Sequence, residues 1–119
     1  MNINITKNTK VLKMDNCLFC KIIDKSIPSQ IIFEDDDVVV FNDINPQAQV
    51  HFLIIPKQHI VSMLELNDTH QILMGKMMIL ANKLALQQGL NNGYKTQINT
   101  GKNGGQEVFH LHIHVFGNK

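Results

Sequence analysis

Three histidines stand at alternate positions near the C-terminal end of this chain. They are His110, His112 and His114, within the run Phe109-His-Leu-His-Ile-His-Val-Phe116. Strict alternation is the pattern of a β-strand, whose successive side chains point to opposite faces. Folded so, the segment puts three imidazoles on one face. Leu111, Ile113 and Val115 then form an apolar stripe on the other, fit to lie on a core. Imidazole changes charge near neutral pH and is the commonest metal ligand. Three on one face therefore mean a metal cradle, a nucleophile with acid–base partners, or a mixture of the two. Unrelated surface histidines account poorly for so regular a spacing.

Composition narrows the field. With 119 residues the chain makes one domain, large enough for a core of its own. A formal net charge of +1 leaves no electrostatic footprint for nucleic acid. All eleven cationic residues are lysine. A bound phosphate is thus held by backbone amides, histidines or a lysine, and not by an arginine fork. No apolar run reaches membrane-spanning length. Residues 1–14 lack the apolar core of a signal peptide and read as a flexible N-terminal extension. Cys17 and Cys20 do not form a disulfide framework, and the expected location is the cytoplasm.

The remaining chain reads as α+β with an antiparallel sheet. Leu18, Phe19, Ile22 and Ile23 fit one face of a short helix over 17–25, stopped near Pro28. Strands are expected over 30–34, 38–41, 50–55 and 94–99, besides the histidine strand itself. Asn67 or Asp68 caps a long helix, with Gln71 as the capping-box partner. Ile72, Leu73, Met77, Leu80 and Leu84 give that helix a wide apolar face. Gly89-Leu90 suits a left-handed helix ending.

Several residues carry chemistry only in company. The glycine-rich loop Asn99-Thr-Gly-Lys-Asn-Gly-Gly-Gln106 is either a hairpin turn or an amide nest for an anion. Its place directly before the histidines favours the nest. Cys17-Leu-Phe-Cys20 has zinc-ligand spacing, but two buried thiols packed as small hydrophobes fit equally well. His51 and His59 are each either surface residues or part of a site. His70, in the first turn of the long helix, is expected to face solvent. Asp43 either receives a sugar hydroxyl or caps its loop.

Together, three stretches resemble the histidine triad (HIT) family, in particular its HINT branch of nucleoside phosphoramidases. They are Cys17-Leu-Phe-Cys-Lys-Ile-Ile23, the run from Phe41 to Ile60 containing Asn-Asp-Ile-Asn-Pro and Ile-Ile-Pro-Lys-Gln-His, and Asn99 to Gly117 with its complete His-x-His-x-His. The resemblance implies a HIT domain over 15–119, with a five-stranded antiparallel sheet and two helices. It also implies a homodimer in which two sheets join into one of ten strands.

In function it implies a purine nucleotide pocket for AMP, GMP or adenosine phosphoramidates. Leu18, Phe19, Ile22, Phe41, Ile44 and Leu53 match positions lining the base and sugar. Asp43 matches the residue taking the ribose hydroxyls. Asn99, Gly105 and Val108 match positions around the phosphate. His112 matches the nucleophile, His114 the residue near the leaving group, and His51 and His110 the supporting histidines. The implied activity is adenosine 5′-monophosphoramidase-like hydrolysis through a nucleotidyl-histidine, with no cofactor required. The alternative is a regulatory nucleotide-binding module with incidental hydrolysis. Some relatives bind a structural zinc through equivalents of Cys17, Cys20, His59 and His110. Glu107 stands where many members carry Ser or Thr, and a carboxylate there repels an anion unless it points away.

Overall fold

The computed structural model describes residues 16–119, so the N-terminal extension lies outside the described residues. Five strands form one antiparallel sheet in the order β1-β2-β3-β5-β4. They are β1 (Ile31–Glu34), β2 (Val38–Asn42), β3 (Val50–Pro56), β4 (Lys95–Gln97) and β5 (Ile113–Gly117). Two α-helices, α1 (Leu18–Ile23) and α2 (Gln71–Gln87), cover opposite faces. No described helix is long and apolar enough to cross a membrane.

The two-sided covering explains the sequence of the central strands. Residues 38–41 and 50–56 are buried throughout, because a strand with helices on both faces has no solvent side. Alternation decides which helix each residue meets. Val38, Val40, Phe52, Ile54, Ile113 and Val115 pack with Met77, Leu80, Ala81 and Leu84 of α2. Val39, Phe41, Leu53 and Ile55 pack with Phe19, Cys20 and Ile22 of α1. The histidines share the α1 face.

Local chemistry sets the element ends. Asp35 Oδ1 accepts the N–H groups of Asp37 and Val38 and closes the β1–β2 turn. Lys76 of α2 bridges to Asp35 and Asp37 and ties the helix to that turn. Helix α2 ends as a Schellman motif: Gly89 has φ +93°, Leu90 N–H donates to Ala85 O, and Gly89 N–H donates to Leu86 O. Only glycine takes that φ without strain.

Several expected details differ. The capping box before α2 pairs Asn67 with His70, not with Gln71; the Asn67 N–H donates to His70 Nδ1. His70 is thus a half-buried cap residue rather than a solvent-facing side chain. A short 3-10 turn over Asp68–His70 precedes α2 and shifts the caps by a few residues. The fourth strand spans only Lys95–Gln97, because just three residues pair with β5. The apolar stripe of α2 is not all buried. Ile72 is 88% exposed and Ile79 62%, since the face that meets the sheet runs through Leu73, Met77, Leu80, Ala81 and Leu84. Leu18 is also exposed, so α1 buries Phe19, Cys20 and Ile22 instead of the expected Leu18 face.

Candidate functional site

The histidine run enters the sheet late. His114 lies in β5, whereas His110 and His112 belong to the extended segment just before it. The alternation persists: Leu111, Ile113 and Val115 are buried on the α2 side. The imidazoles of His110 and His112 are buried too, beneath Phe19 of α1, whose ring meets theirs edge-on at centroid distances of 6.1 and 5.0 Å. They are not surface groups, because α1 roofs their face.

Register places the neighbours. Phe41 of β2 pairs with Leu53 of β3, Leu53 with His114 of β5, and His114 with Gln97 of β4. Phe41, Leu53 and His114 of this row floor a cavity of about 520 Å³. Leu18, Phe19 and Ile22 wall it from α1, with Asp43 and Ile44 at the β2–β3 loop and Val108 opposite. His112 and His114 open into it. Of the expected nucleotide residues, Leu18, Phe19, Ile22, Asp43, Ile44 and Val108 together with Phe41 and Leu53 make one concave, largely apolar surface. Asn99 and Gly105 are not among the lining residues. Instead Asn99 Nδ2 donates to the Gly104 carbonyl and braces the glycine loop internally. Glu107 stands at the cavity wall and is exposed.

Hydrogen bonds assign the tautomers. His112 Nδ1 lies 2.6 Å from the His110 carbonyl, which only accepts, so Nδ1 carries the proton. His112 Nε2 therefore keeps a lone pair. His51 Nδ1 accepts the Gln47 N–H at 3.0 Å, which leaves the His51 proton on Nε2. That proton faces His114 Nδ1 at 3.0 Å and Asp43 Oδ2 at 3.3 Å. His51 and His114 are diagonal neighbours across β3 and β5, within reach for long side chains. Asp43, His51 and His114 also have ligand atoms close enough to share a cation. The one His51 proton accounts for both short separations.

A second cluster lies behind Phe19. Cys17, at the N-cap of α1, and Cys20, one turn on, face His59 and His110. Cys17 Sγ is 3.4 Å and Cys20 Sγ 3.5 Å from His110 Nδ1. His59 Nδ1 is 3.2 Å from both Cys20 Sγ and His110 Nδ1. Metal–sulfur bonds of about 2.3 Å and metal–nitrogen bonds of about 2.05 Å at tetrahedral angles put sulfur and nitrogen about 3.5 Å apart and two nitrogens about 3.3 Å apart. The four donors fit such a centre. His110 Nε2 donates to the Pro56 carbonyl at 2.8 Å, so its Nδ1 presents a lone pair to the cluster. The Leu111 N–H to Ile60 carbonyl bond, 2.7 Å, brings the His59 segment alongside His110.

Gln106 is a structural residue that the sequence does not single out. It is buried; its Oε1 accepts the Gly101 N–H and its Nε2 donates to the Val61 and Val108 carbonyls. It thereby clamps the glycine loop onto the segment after His59. Ile27, Pro28, Ser29, Asn42, Asn45 and Gln47 also line the cavity. All but Asn42, which ends β2, come from loops without periodicity, and no pattern marks them.

Burial keeps the site histidines neutral. Desolvation is the main cause that lowers His51, and it pushes His114 to about 4, helped by His112 and His51 and opposed by Asp43. In the unfolded chain both groups take up protons near pH 6.5. The folded state resists protonation until well below that, so unfolding takes up protons as the pH falls. Their contribution is complete above about pH 6.5 and is lost toward pH 4. Urea unfolding at pH 7 and pH 5 should differ by an amount of order 2 kcal/mol from His114. The difference should shrink in His114→Gln. Equal pH dependence in the two proteins would contradict this account.

The family model described as "Scavenger mRNA decapping enzyme C-term binding" matches residues 16–119. Protein HitA of Neisseria gonorrhoeae is 56% identical over 104 residues, covering 87% of this chain and 97% of that protein. A HIT family hydrolase from Legionella pneumophila superposes with a TM-score of 0.84 at 47% identity, over 86% of this chain and 92% of that one. A Zn-bound histidine triad family protein from Mycobacterium smegmatis does so with a TM-score of 0.77 at 32% identity, over 89% and 77% of the two chains. With the His-x-His-x-His run beside an apolar cavity, these similarities establish that the chain belongs to the histidine triad family.

Proposed function

We propose that the protein is a purine nucleoside phosphoramidase of the HINT kind, acting in the cytoplasm. The observation that carries the proposal is the 2.6 Å bond from His112 Nδ1–H to the His110 carbonyl. It leaves an unprotonated Nε2 on a side chain that lines the cavity. Burial lowers the pKa of His112, which keeps that lone pair available at neutral pH. An aromatic and aliphatic cavity suits a purine and its sugar. Asp43 takes the sugar hydroxyls, and Val108 and the glycine loop, with Asn99 and Gly105 in it, support the phosphate side.

The reaction runs in two displacements. His112 Nε2 attacks the α-phosphorus of AMP phosphoramidate, the P–N bond breaks, and a nucleotidyl-histidine forms. The departing nitrogen takes the Nε2 proton of cationic His114, whose proton affinity the bound anionic phosphoryl group raises. Water then gives a proton back to His114, attacks phosphorus and releases the nucleoside monophosphate. His110 orients His112 through its carbonyl, and His51 orients His114. The Legionella relative's name, hydrolase, supports this reaction class. His112→Asn retains an amide donor for the His110 carbonyl but removes the nucleophile. Its turnover of adenosine phosphoramidate should fall by at least roughly 10³-fold in a protein with unchanged circular dichroism. Turnover near that of the wild type would sink the proposal.

The second cluster is proposed to hold a structural zinc through Cys17, Cys20, His59 and His110. The Zn-bound Mycobacterium smegmatis relative supports this. Four protein ligands leave no open position, so bound zinc would fix α1 to the histidine segment without entering the chemistry. Burial, Cys17 and Asp24 push the Cys20 thiol up to about 12, so zinc must displace its proton, and binding releases acid. Protein purified without chelator should carry about one zinc per chain. Less than about a tenth of an equivalent, with both thiols titratable, would overturn the assignment.

A homodimer completes the proposal. β4 is one of the two edges of the sheet, and Ile72, Met78 and Ile79 leave apolar surface on α2. Pairing at that edge makes a ten-stranded sheet. Light scattering at micromolar concentration should give twice the mass of the chain; a monomer mass would count against it.

A further inference from the structure

Asp43 is held more tightly than a residue that only meets a sugar needs to be. It follows β2 directly, and its N–H donates to the His51 carbonyl at 2.9 Å. Its Oδ1 accepts the Asn45 N–H at 2.8 Å. These bonds aim Oδ2 inward, 3.3 Å from His51 Nε2 and 3.8 Å from His114 Nδ1. The three atoms surround one hydrogen, the proton on His51 Nε2. The Gln47 N–H pins that proton to Nε2 by occupying Nδ1.

That proton has two acceptors, and they have opposite consequences. Pointed at His114 Nδ1, it bars that nitrogen from carrying a proton, and His114 is neutral. Pointed at Asp43 Oδ2, it frees His114 Nδ1 to take a proton. The resulting imidazolium then stands beside the Asp43 carboxylate. Asp43 also lines the cavity, so the same carboxylate meets whatever sugar enters. We propose that Asp43 is a positioning residue for His114, and that its charge favours the protonated His114 that serves the leaving group. This rests on the reading of the cavity as a phosphoramidase site.

The proton count closes. His114 enters with a proton on each nitrogen. It gives the Nε2 proton to the departing nitrogen as the P–N bond breaks, and keeps its Nδ1–H toward Asp43. The attacking water returns a proton to Nε2 as the bond from phosphorus to His112 breaks. The charged or titratable groups around His114 are His51 on β3, Asp43 in the β2–β3 loop, His112 before β5 and Glu107 at the cavity wall; Gln97 opposite on β4 is neutral. Asp43 is the anion whose field raises the proton affinity of His114, against burial and two histidines.

The test measures kcat and KM against pH for the wild type and Asp43→Asn. The substrates are adenosine 5′-phosphoramidate and its 2′,3′-dideoxy analogue. Asn keeps an oxygen for the Asn45 N–H but loses the charge. We expect kcat to fall at least about tenfold with both substrates, and the alkaline limb of kcat to move to lower pH. A residue serving the sugar alone gives a different result: a change in KM confined to the ribose substrate, with an unmoved pH profile. That result overturns the proposal. If the wild type hydrolyses neither substrate, the phosphoramidase reading fails, and imidazole 15N NMR titration of the free protein decides the coupling by itself. His114 should then titrate at lower pH in Asp43→Asn than in the wild type. An unchanged titration overturns the proposal.

Discussion

One buried residue links both centres of this molecule. His110 is 0% exposed, and both of its ring nitrogens and its carbonyl are engaged. Its Nε2–H is given to the Pro56 carbonyl, its Nδ1 faces Cys17, Cys20 and His59, and its backbone carbonyl takes the His112 Nδ1–H. Removing it would leave polar groups unpaired in a region closed to water, which costs more than the net worth of the bonds themselves. His110 thus joins the two groups: its imidazole completes the thiol–imidazole cluster, and its main chain sets the tautomer of His112. A disturbance at the cluster, such as oxidation of a thiol, has a short route to His112.

That arrangement follows from covering a five-stranded sheet unequally. The seventeen residues of α2 bury one face with aliphatic side chains. On the other, α1 has six residues, too few to cover the sheet. What α1 covers becomes the buried histidine segment and the second core. What it leaves open becomes the cavity, floored by Phe41 and Leu53. Phe19 divides the two, touching Phe41 on one side and the rings of His110 and His112 on the other. A short amphipathic helix thus sets the local dielectric of the nucleophile. Burial under it, and not a charged partner, is the leading reason that His112 is held neutral.

The sequence made the fold legible where a period was present. The β-rich runs 38–41 and 50–55 read as strands, and the structure buries them throughout because both of their faces are covered. Gly89-Leu90 marked the end of α2 because only one backbone geometry suits that pair. The histidine run showed its face, since alternation survives even where the ladder does not begin until Ile113. The family resemblance added the rest of the cavity and the four-residue cluster. Period could not show which neighbours the chain brings from a distance. The His51–His114 contact spans 63 positions, and the His110–Pro56 bond spans 54. Nor could it rank His70 against Gln71 as cap partner, because both follow Asn67 within one turn and only the local 3-10 geometry selects between them. Asn99, expected beside the phosphate, is not among the residues lining the cavity, for a related reason. Its amide is taken up inside the glycine loop, where an Asn in such company serves the turn itself.

The electrostatics of the cavity bear on turnover. Among the described residues that line it, two are carboxylates, Asp43 and Glu107, and none is lysine. The chain has no arginine to supply a fork. On the reading proposed above, a phosphoramidate enters with one negative charge on phosphorus, whereas the monophosphate product approaches two. Fixed carboxylates penalise the second charge more than the first, and the low dielectric beneath Phe19 enlarges the difference. Binding then draws mainly on burying the purine against Phe41, Leu53 and Phe19, a contribution that substrate and product share. What distinguishes them is charge, and the charge disfavours the product. On that reading, a site that offers phosphate imidazoles and amides, with two carboxylates in its lining, releases its product more readily than one with a lysine or arginine clamp in the same place.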